Sequence, residues 1–114
     1  MPHSNLDDIL QGMRLELRRG CLTLAVLGQL RFEHYGYTLR KALAERGLDI
    51  DEGTLYPLIR RLETQGLLSS EWREENKRRK RFYRLSAGGE IILQKLLDEL
   101  RAINASLQSI LQEA

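Results

Sequence analysis

From Leu6 to about Leu30 the apolar residues recur three and four positions apart, the spacing of a helix with one buried stripe. Leu6, Ile9, Leu10, Met13 and Leu17 make the stripe, and Leu24, Leu27 and Leu30 continue it. Asn5 can cap its start, with Asp7 and Asp8 in the first turn. Gly12 and Gly20 each weaken such a helix by about 1 kcal/mol, so residues 5–31 read either as one helix or as two with a joint near Gly20. Gly36 then breaks the chain. Thr38 opens a short helix with Leu39, Ala42 and Leu43 on one face, and Gly47 ends it. After the link LDIDEG, Asp51 is placed to cap a third helix in which Leu55, Leu58, Ile59 and Leu62 form the apolar stripe. Pro57 must fall in or near the first turns of that helix. Gly66 suits the position just past its end, with Leu67-Leu68 as the hydrophobic contact beyond.

The period then changes. Residues 67–72 and 81–85, with Trp72 and Phe82-Tyr83, read as two strands, and REENKRRK as the turn between them, a loop that carries the charge. Alternation puts Arg81, Tyr83 and Leu85 on one face and Lys80, Phe82 and Arg84 on the other. Leu85 marks the Tyr83 face as the core side, which leaves Phe82 to pack against the partner strand; stacking on bases is the alternative role for both rings. Ser86 caps a long helix from Ala87 to about Gln112, in which Leu93, Leu96, Leu100, Ile103, Leu107 and Ile110 form a coiled-coil seam. That helix runs ~40 Å at 1.5 Å per residue, longer than so small a body covers along one side. Its seam packs against the amino-terminal stripe of the same chain, or joins Leu6, Ile9, Leu10 and Met13 in a twofold dimer; the two arrangements are compatible. The expected fold is mainly α with a small β-ribbon: a winged helix-turn-helix over residues 1–85 and a carboxy-terminal dimerisation helix over residues 86–114.

Composition sharpens this picture at one place. The 114 residues suit a single domain, and their formal net charge is +2. Lys77 to Arg84 hold six basic residues and no acidic one, so the remaining 106 residues sum to +2 − 6 = −4. Basicity this local speaks of a partner. The single cysteine, Cys21, sits in the apolar run Cys21 to Leu27 and is expected to be a buried structural thiol in a reducing compartment. No apolar stretch approaches the ~18 residues of a membrane span, and the polar segment from Met1 to Asp8 is unlike a secretory signal. A cytosolic protein without a membrane partner is expected. Neither His3 nor His34 pairs with cysteine or carboxylate at metal-ligand spacing, and Gly88-Gly89 lacks the surroundings of a phosphate loop. No metal, cofactor or enzymatic activity is expected.

With its leucines turned inward, the third helix shows Thr54, Tyr56, Arg60, Arg61 and Thr64 on its other face. Hydroxyls and arginines suit phosphate and base-edge contacts in a major groove; a merely solvated face is the plain alternative. The hairpin shifts the balance, because Lys77 to Lys80 at its tip can reach an adjacent groove or backbone. A protein from another class also fits: a coiled-coil adaptor whose winged helix binds an acidic partner, although an adaptor has no need of the hydroxyl-and-arginine face.

Taken together, YGYTLRKAL, DEGTLYPLIRRLETQGLL, SEW and KRFYRLSAGGE resemble, in this order and spacing, the PadR family of transcriptional regulators. The resemblance covers nearly the whole chain and is closest to the short subgroup with a single carboxy-terminal helix. It implies a homodimer that binds double-stranded DNA at an inverted repeat, usually as a repressor, and is often released by a small-molecule effector, here unidentified. By position, Tyr37 and Thr38 begin the supporting helix. Thr54, Tyr56, Arg60 and Arg61 belong to the recognition helix, and Lys77, Arg78, Arg79, Lys80 and Arg81 to the wing. Two departures stand out. Similar proteins often have Gly-x-Pro in the wing where this chain has Lys77-Arg78-Arg79, which implies a wing more flexible and more dependent on charge. Some relatives stack planar drugs on a tryptophan of the terminal helix, a position held here by Leu100, which disfavours that mode of ligand binding.

Overall fold

The computed structural model describes the backbone of residues 2–112 and the side chains of residues 5–112. The elements run α1 (Pro2–Gln29), β1 (His34–Tyr35), α2 (Gly36–Glu45), α3 (Glu52–Thr64), β2 (Leu68–Glu75), β3 (Arg78–Leu85) and α4 (Ala87–Gln112). Four helices and a small antiparallel sheet of order β1-β3-β2 make a winged helix. Residues 5–31 contain no joint: α1 passes through Gly12 and Gly20 unbroken, and Asn5 lies inside the helix rather than at its cap. The side chain of His3 lies outside the described residues.

One core, drawn from every element except β1, holds the reading head together. Val26 and Leu27 from α1 and Leu30 just past its end meet Leu39 and Leu43 from α2, the four inward residues of α3, Leu68 and Leu85 from the sheet, and Leu93 from α4. Both inner helices end in the same way. Gly47 and Gly66 take positive φ, and the amides of Leu48 and Leu67 reach back to the carbonyls of Leu43 and Leu62, which satisfies the last helical acceptors. Ser86 joins two element ends, its hydroxyl accepting from the Gly89 amide and donating to the Gly66 carbonyl. Gly89 is required there, since a Cβ would stand 2.1 Å from the Leu67 carbonyl oxygen.

The helix α1 uses two faces. At about 100° per residue, Val26, Leu27 and Leu30 point into the core, while Leu17, Cys21 and Leu24 point about the opposite way and line a cleft against α4. Cys21 is therefore exposed, not buried; the apolar run around it spans both faces. Leu93 departs from the expected seam as well, being only 2% exposed and part of the core of its own chain. Beyond this point α1 and α4 extend outward, and Leu6, Ile9, Leu10 and Met13, with Ile103, Leu107 and Ile110, stay exposed. The radius of gyration is 17.2 Å, against about 13 Å for a compact chain of this size.

The wing differs from expectation in its turn. The ladder from Leu68↔Leu85 continues unbroken to Glu75↔Arg78, so only Asn76 and Lys77 form the turn. Both have positive φ, 53° and 64°, which makes a type I′ corner matched to the twist of a hairpin. Arg78, Arg79 and Lys80 thus belong to β3, not to a loop, and strand pairing holds the chain up to the tip. The two-residue strand β1 has no counterpart in the expected elements. It places Tyr35 opposite Phe82, and the rings meet edge to face at 5.4 Å. Phe82 is buried beneath Tyr35 and the Arg73 guanidinium, while Leu85 and the half-buried Tyr83 face the core.

Candidate nucleic-acid interface

The helix α3 is set by its cap. The Asp51 carboxylate accepts from the Thr54 amide and from the Thr54 hydroxyl, and these bonds, the hydroxyl first, lower the Asp51 pKa from its ordinary value. Thr64 donates its hydroxyl to the Arg60 carbonyl. Pro57 is exposed within the helix, where the stripe Leu55, Leu58, Ile59 and Leu62 turns away from it. Gly53, Pro57, Arg60 and Thr64 consequently form the outermost line of α3, in which Arg60 is the one long side chain.

Its two flanks differ. On one side, Thr54, Pro57 and Arg61 share a shallow depression with Arg19, Leu22 and Thr23 of α1. Arg19 had no distinguishing signal in the sequence, because it belongs to a helix whose pattern speaks only of packing. On the other side Tyr56 is half-buried and its ring lies across Gly36, where an added Cβ would be 2.5 Å from Cε1. That contact explains why the chain places glycine at the start of α2, and it gives Tyr56 a packing duty. Glu63 reaches the sheet, accepting from the Ser70 hydroxyl and from Arg81 Nη2 at 2.8 Å. The Ser70 bond first, and Arg81 after it, hold the Glu63 carboxyl below its ordinary range. Arg81 therefore ties the wing to α3.

The start of α2 is closed by local bonds. The Thr38 hydroxyl donates to the Tyr35 carbonyl and accepts from the Tyr35 amide, and it also meets His34 Nδ1 at 3.1 Å. His34 Nε2 lies 3.0 Å from the Gln29 amide nitrogen. A neutral imidazole donating through Nδ1 satisfies both contacts, in keeping with burial lowering the His34 pKa. Tyr37 is exposed and stacks on Tyr35 at 6.4 Å, bordering a shallow surface with Arg40 and Lys41.

Charge in the wing is divided. Lys80 donates to the Tyr35 hydroxyl and to Glu75, and Arg81 is paired with Glu63. Among the described residues no salt bridge engages Arg60, Arg61, Lys77, Arg78 or Arg79. Those five side chains are exposed, so recognition helix and hairpin tip present guanidinium and ammonium groups that no carboxylate neutralises. Among the described residues no group of three or more His, Cys, Asp or Glu side chains is placed to hold a metal ion. No helix of the described residues is long and apolar enough to cross a membrane.

A capped helix set on a helical support, flanked by a hairpin with a cationic tip, defines a winged helix-turn-helix protein of the DNA-binding class. Residues 24–95 match the model of the transcriptional regulator PadR-like family, and the chain belongs to that family. It is 36% identical over 89 residues to the transcriptional regulator Rv3488 of Mycobacterium tuberculosis, a match covering 75% of this chain and 83% of that protein. A crystal structure of a PadR family transcriptional regulator from Eggerthella lenta superposes with a TM-score of 0.88 at 42% identity, covering 95% of this chain and 96% of the other. A PadR family transcription regulator from Clostridium difficile gives a TM-score of 0.71 at 26% identity, covering 78% and 96%. The protein is a transcriptional regulator of the PadR-like family, a family of regulators rather than enzymes.

Proposed function

We propose that the chain is a cytoplasmic repressor that binds an inverted-repeat operator as a homodimer and is released by a small apolar effector. The observation that carries the DNA-reading part is the division of charge: Arg60, Arg61, Lys77, Arg78 and Arg79 stay unpaired among the described residues, while neighbouring cations are tied to carboxylates. In this reading Arg60 and Arg61 address base edges. The hairpin tip and Tyr37 address phosphates, Thr54 and Thr38 fix the ends of their helices, and Tyr56 and Arg81 hold α3 against its support and the wing. A homodimer is supported by the exposed apolar residues on the projecting parts of α1 and α4, which a second copy would cover. The cleft between these helices, about 530 Å³ and lined by Leu17, Cys21, Leu24, Leu96, Leu100 and Ile103, suits an apolar effector at the same seam.

The test is a salt-series titration with DNA from upstream of the protein's own gene against scrambled DNA of equal length. Tighter binding to the upstream fragment, a steep salt slope and two chains per site are expected. Equal binding to both fragments would count against sequence reading at that site, and no binding at low salt would overturn the reading altogether.

A further inference from the structure

Trp72 is the only tryptophan in the chain, and it is 52% exposed on β2. A lone exposed apolar side chain needs no explanation, but this one is held. It pairs across the ladder with Arg81, whose guanidinium carbon lies 5.5 Å from the ring centroid, and Arg79 approaches to 5.2 Å. Alternation puts Trp72 on the face of Ser70, Arg81 and Tyr83, the face that Glu63 ties to α3. Trp72 stands two residues farther toward the tip than Ser70, about 7 Å at strand spacing. A flat ring with one N–H donor therefore sits between the recognition helix and the hairpin tip, away from the cleft that α1 and α4 form.

We propose that Trp72 is a backbone-contact residue: its indole lies against the sugar–phosphate strand bordering the groove that α3 enters, with Nε1–H donating to a phosphate oxygen. This rests on the DNA-binding reading above and adds a contact to it. Charge balance decides what kind of contact it is. Arg81, the cation directly across the ladder from the ring, is already paired with Glu63, and the indole itself carries no charge. The indole contributes packing and one uncharged donor. Its removal weakens binding without changing how many counterions are released.

The experiment uses the full chain and a random-sequence duplex at low salt, since a backbone contact does not require the operator. DNA binding is followed by anisotropy of a labelled duplex, while acrylamide quenching of intrinsic emission reports on Trp72 alone. Saturation with duplex should lower the quenching constant and shift the emission to the blue. Trp72→Ala should weaken binding by about tenfold at every salt concentration, with an unchanged salt slope, and Trp72→Phe should lie between. A role confined to holding Arg79 in place against phosphate would instead change the slope, and would overturn the proposal. Bound duplex with undiminished quenching would also overturn it while leaving DNA binding intact. Absence of duplex binding would remove both readings.

Discussion

Lys77 occupies a backbone conformation that suits another residue, and Lys77→Gly separates its two consequences. With φ at 64° it is the second corner of the type I′ turn, after Asn76 at 53°. Asparagine tolerates this region, whereas a lysine there bears a strain of about 1–2 kcal/mol. Glycine relieves that strain but loses more freedom on folding, about 0.5–1 kcal/mol. The net expectation is a gain of about 0.5–1 kcal/mol, or roughly 2–4 °C in melting temperature for a domain of this size. Binding should move the other way. In the proposed dimer each protomer would neutralise one phosphate fewer, and at about 0.9 for each of the two phosphates the salt slope should fall by about 1.8. Thermal melts followed by circular dichroism at one fixed protein concentration read the first effect, because the melting temperature of a dimer depends on concentration. Anisotropy titrations across a salt series read the second. A lower melting temperature would refute the strain argument, and an unchanged slope would refute the phosphate contact.

Glu63→Gln should weaken the link between α3 and the wing. The carboxyl is held below its ordinary value of 4.5, so its stabilisation is fully present above that pH and is lost as pH falls through the lowered value. Urea unfolding should show the variant about 1 kcal/mol less stable at pH 7, with the difference closing in acid. Gly89→Ala drives a Cβ into the Leu67 carbonyl and should cost at least about 2 kcal/mol in chemical unfolding. Gly88→Ala, whose nearest neighbour would be at an ordinary 3.7 Å, should be neutral or stabilising by up to about 1 kcal/mol. Ile103→Asp, on the exposed part of α4, should shift sedimentation toward the single-chain mass while far-ultraviolet dichroism stays helical; an unchanged mass would argue against an interface there.

The elements with long periodic stripes were legible in the sequence because one physical requirement, a continuous buried face, governed each. The inward residues of α3 followed from that rule, and the Ser86 cap of α4 from the need of a helix start for a side-chain acceptor. The rule failed where a second requirement competed. On α1 the apolar residues serve the core at one end and the α4 cleft at the other, about half a turn apart, so proximity in sequence made Cys21 look buried. In the hairpin REENKRRK reads as a solvated loop because, taken singly, its residues do not favour a strand. Across the ladder its acidic half lies opposite its basic half, Glu74 against Arg79 and Glu75 against Arg78, and opposite charges on facing strands support pairing. The strand β1, two residues long, has no period to read at all. For the interface, residue types were legible and their states of engagement were not. Nothing in the sequence distinguishes the paired Arg81 from the exposed Arg79, since the distinction depends on Glu63, eighteen positions away from Arg81.

That distinction bears on how the wing divides its labour. If all six basic residues of the run faced phosphates, the hairpin would be held to α3 only by its buried edge, and each binding event would have to order it. Instead Arg81 is committed to Glu63 and Lys80 to Tyr35 and Glu75, while Arg73 is held by Glu33 and Glu71. These bonds stiffen the ribbon from both faces before any DNA arrives. The cations left at the tip then act from a fixed platform, so less ordering entropy opposes association. Neutralising Arg81 and neutralising Arg78 should therefore differ in kind although both remove one charge: the first loosens the platform and lowers stability, and the second lowers the salt slope alone.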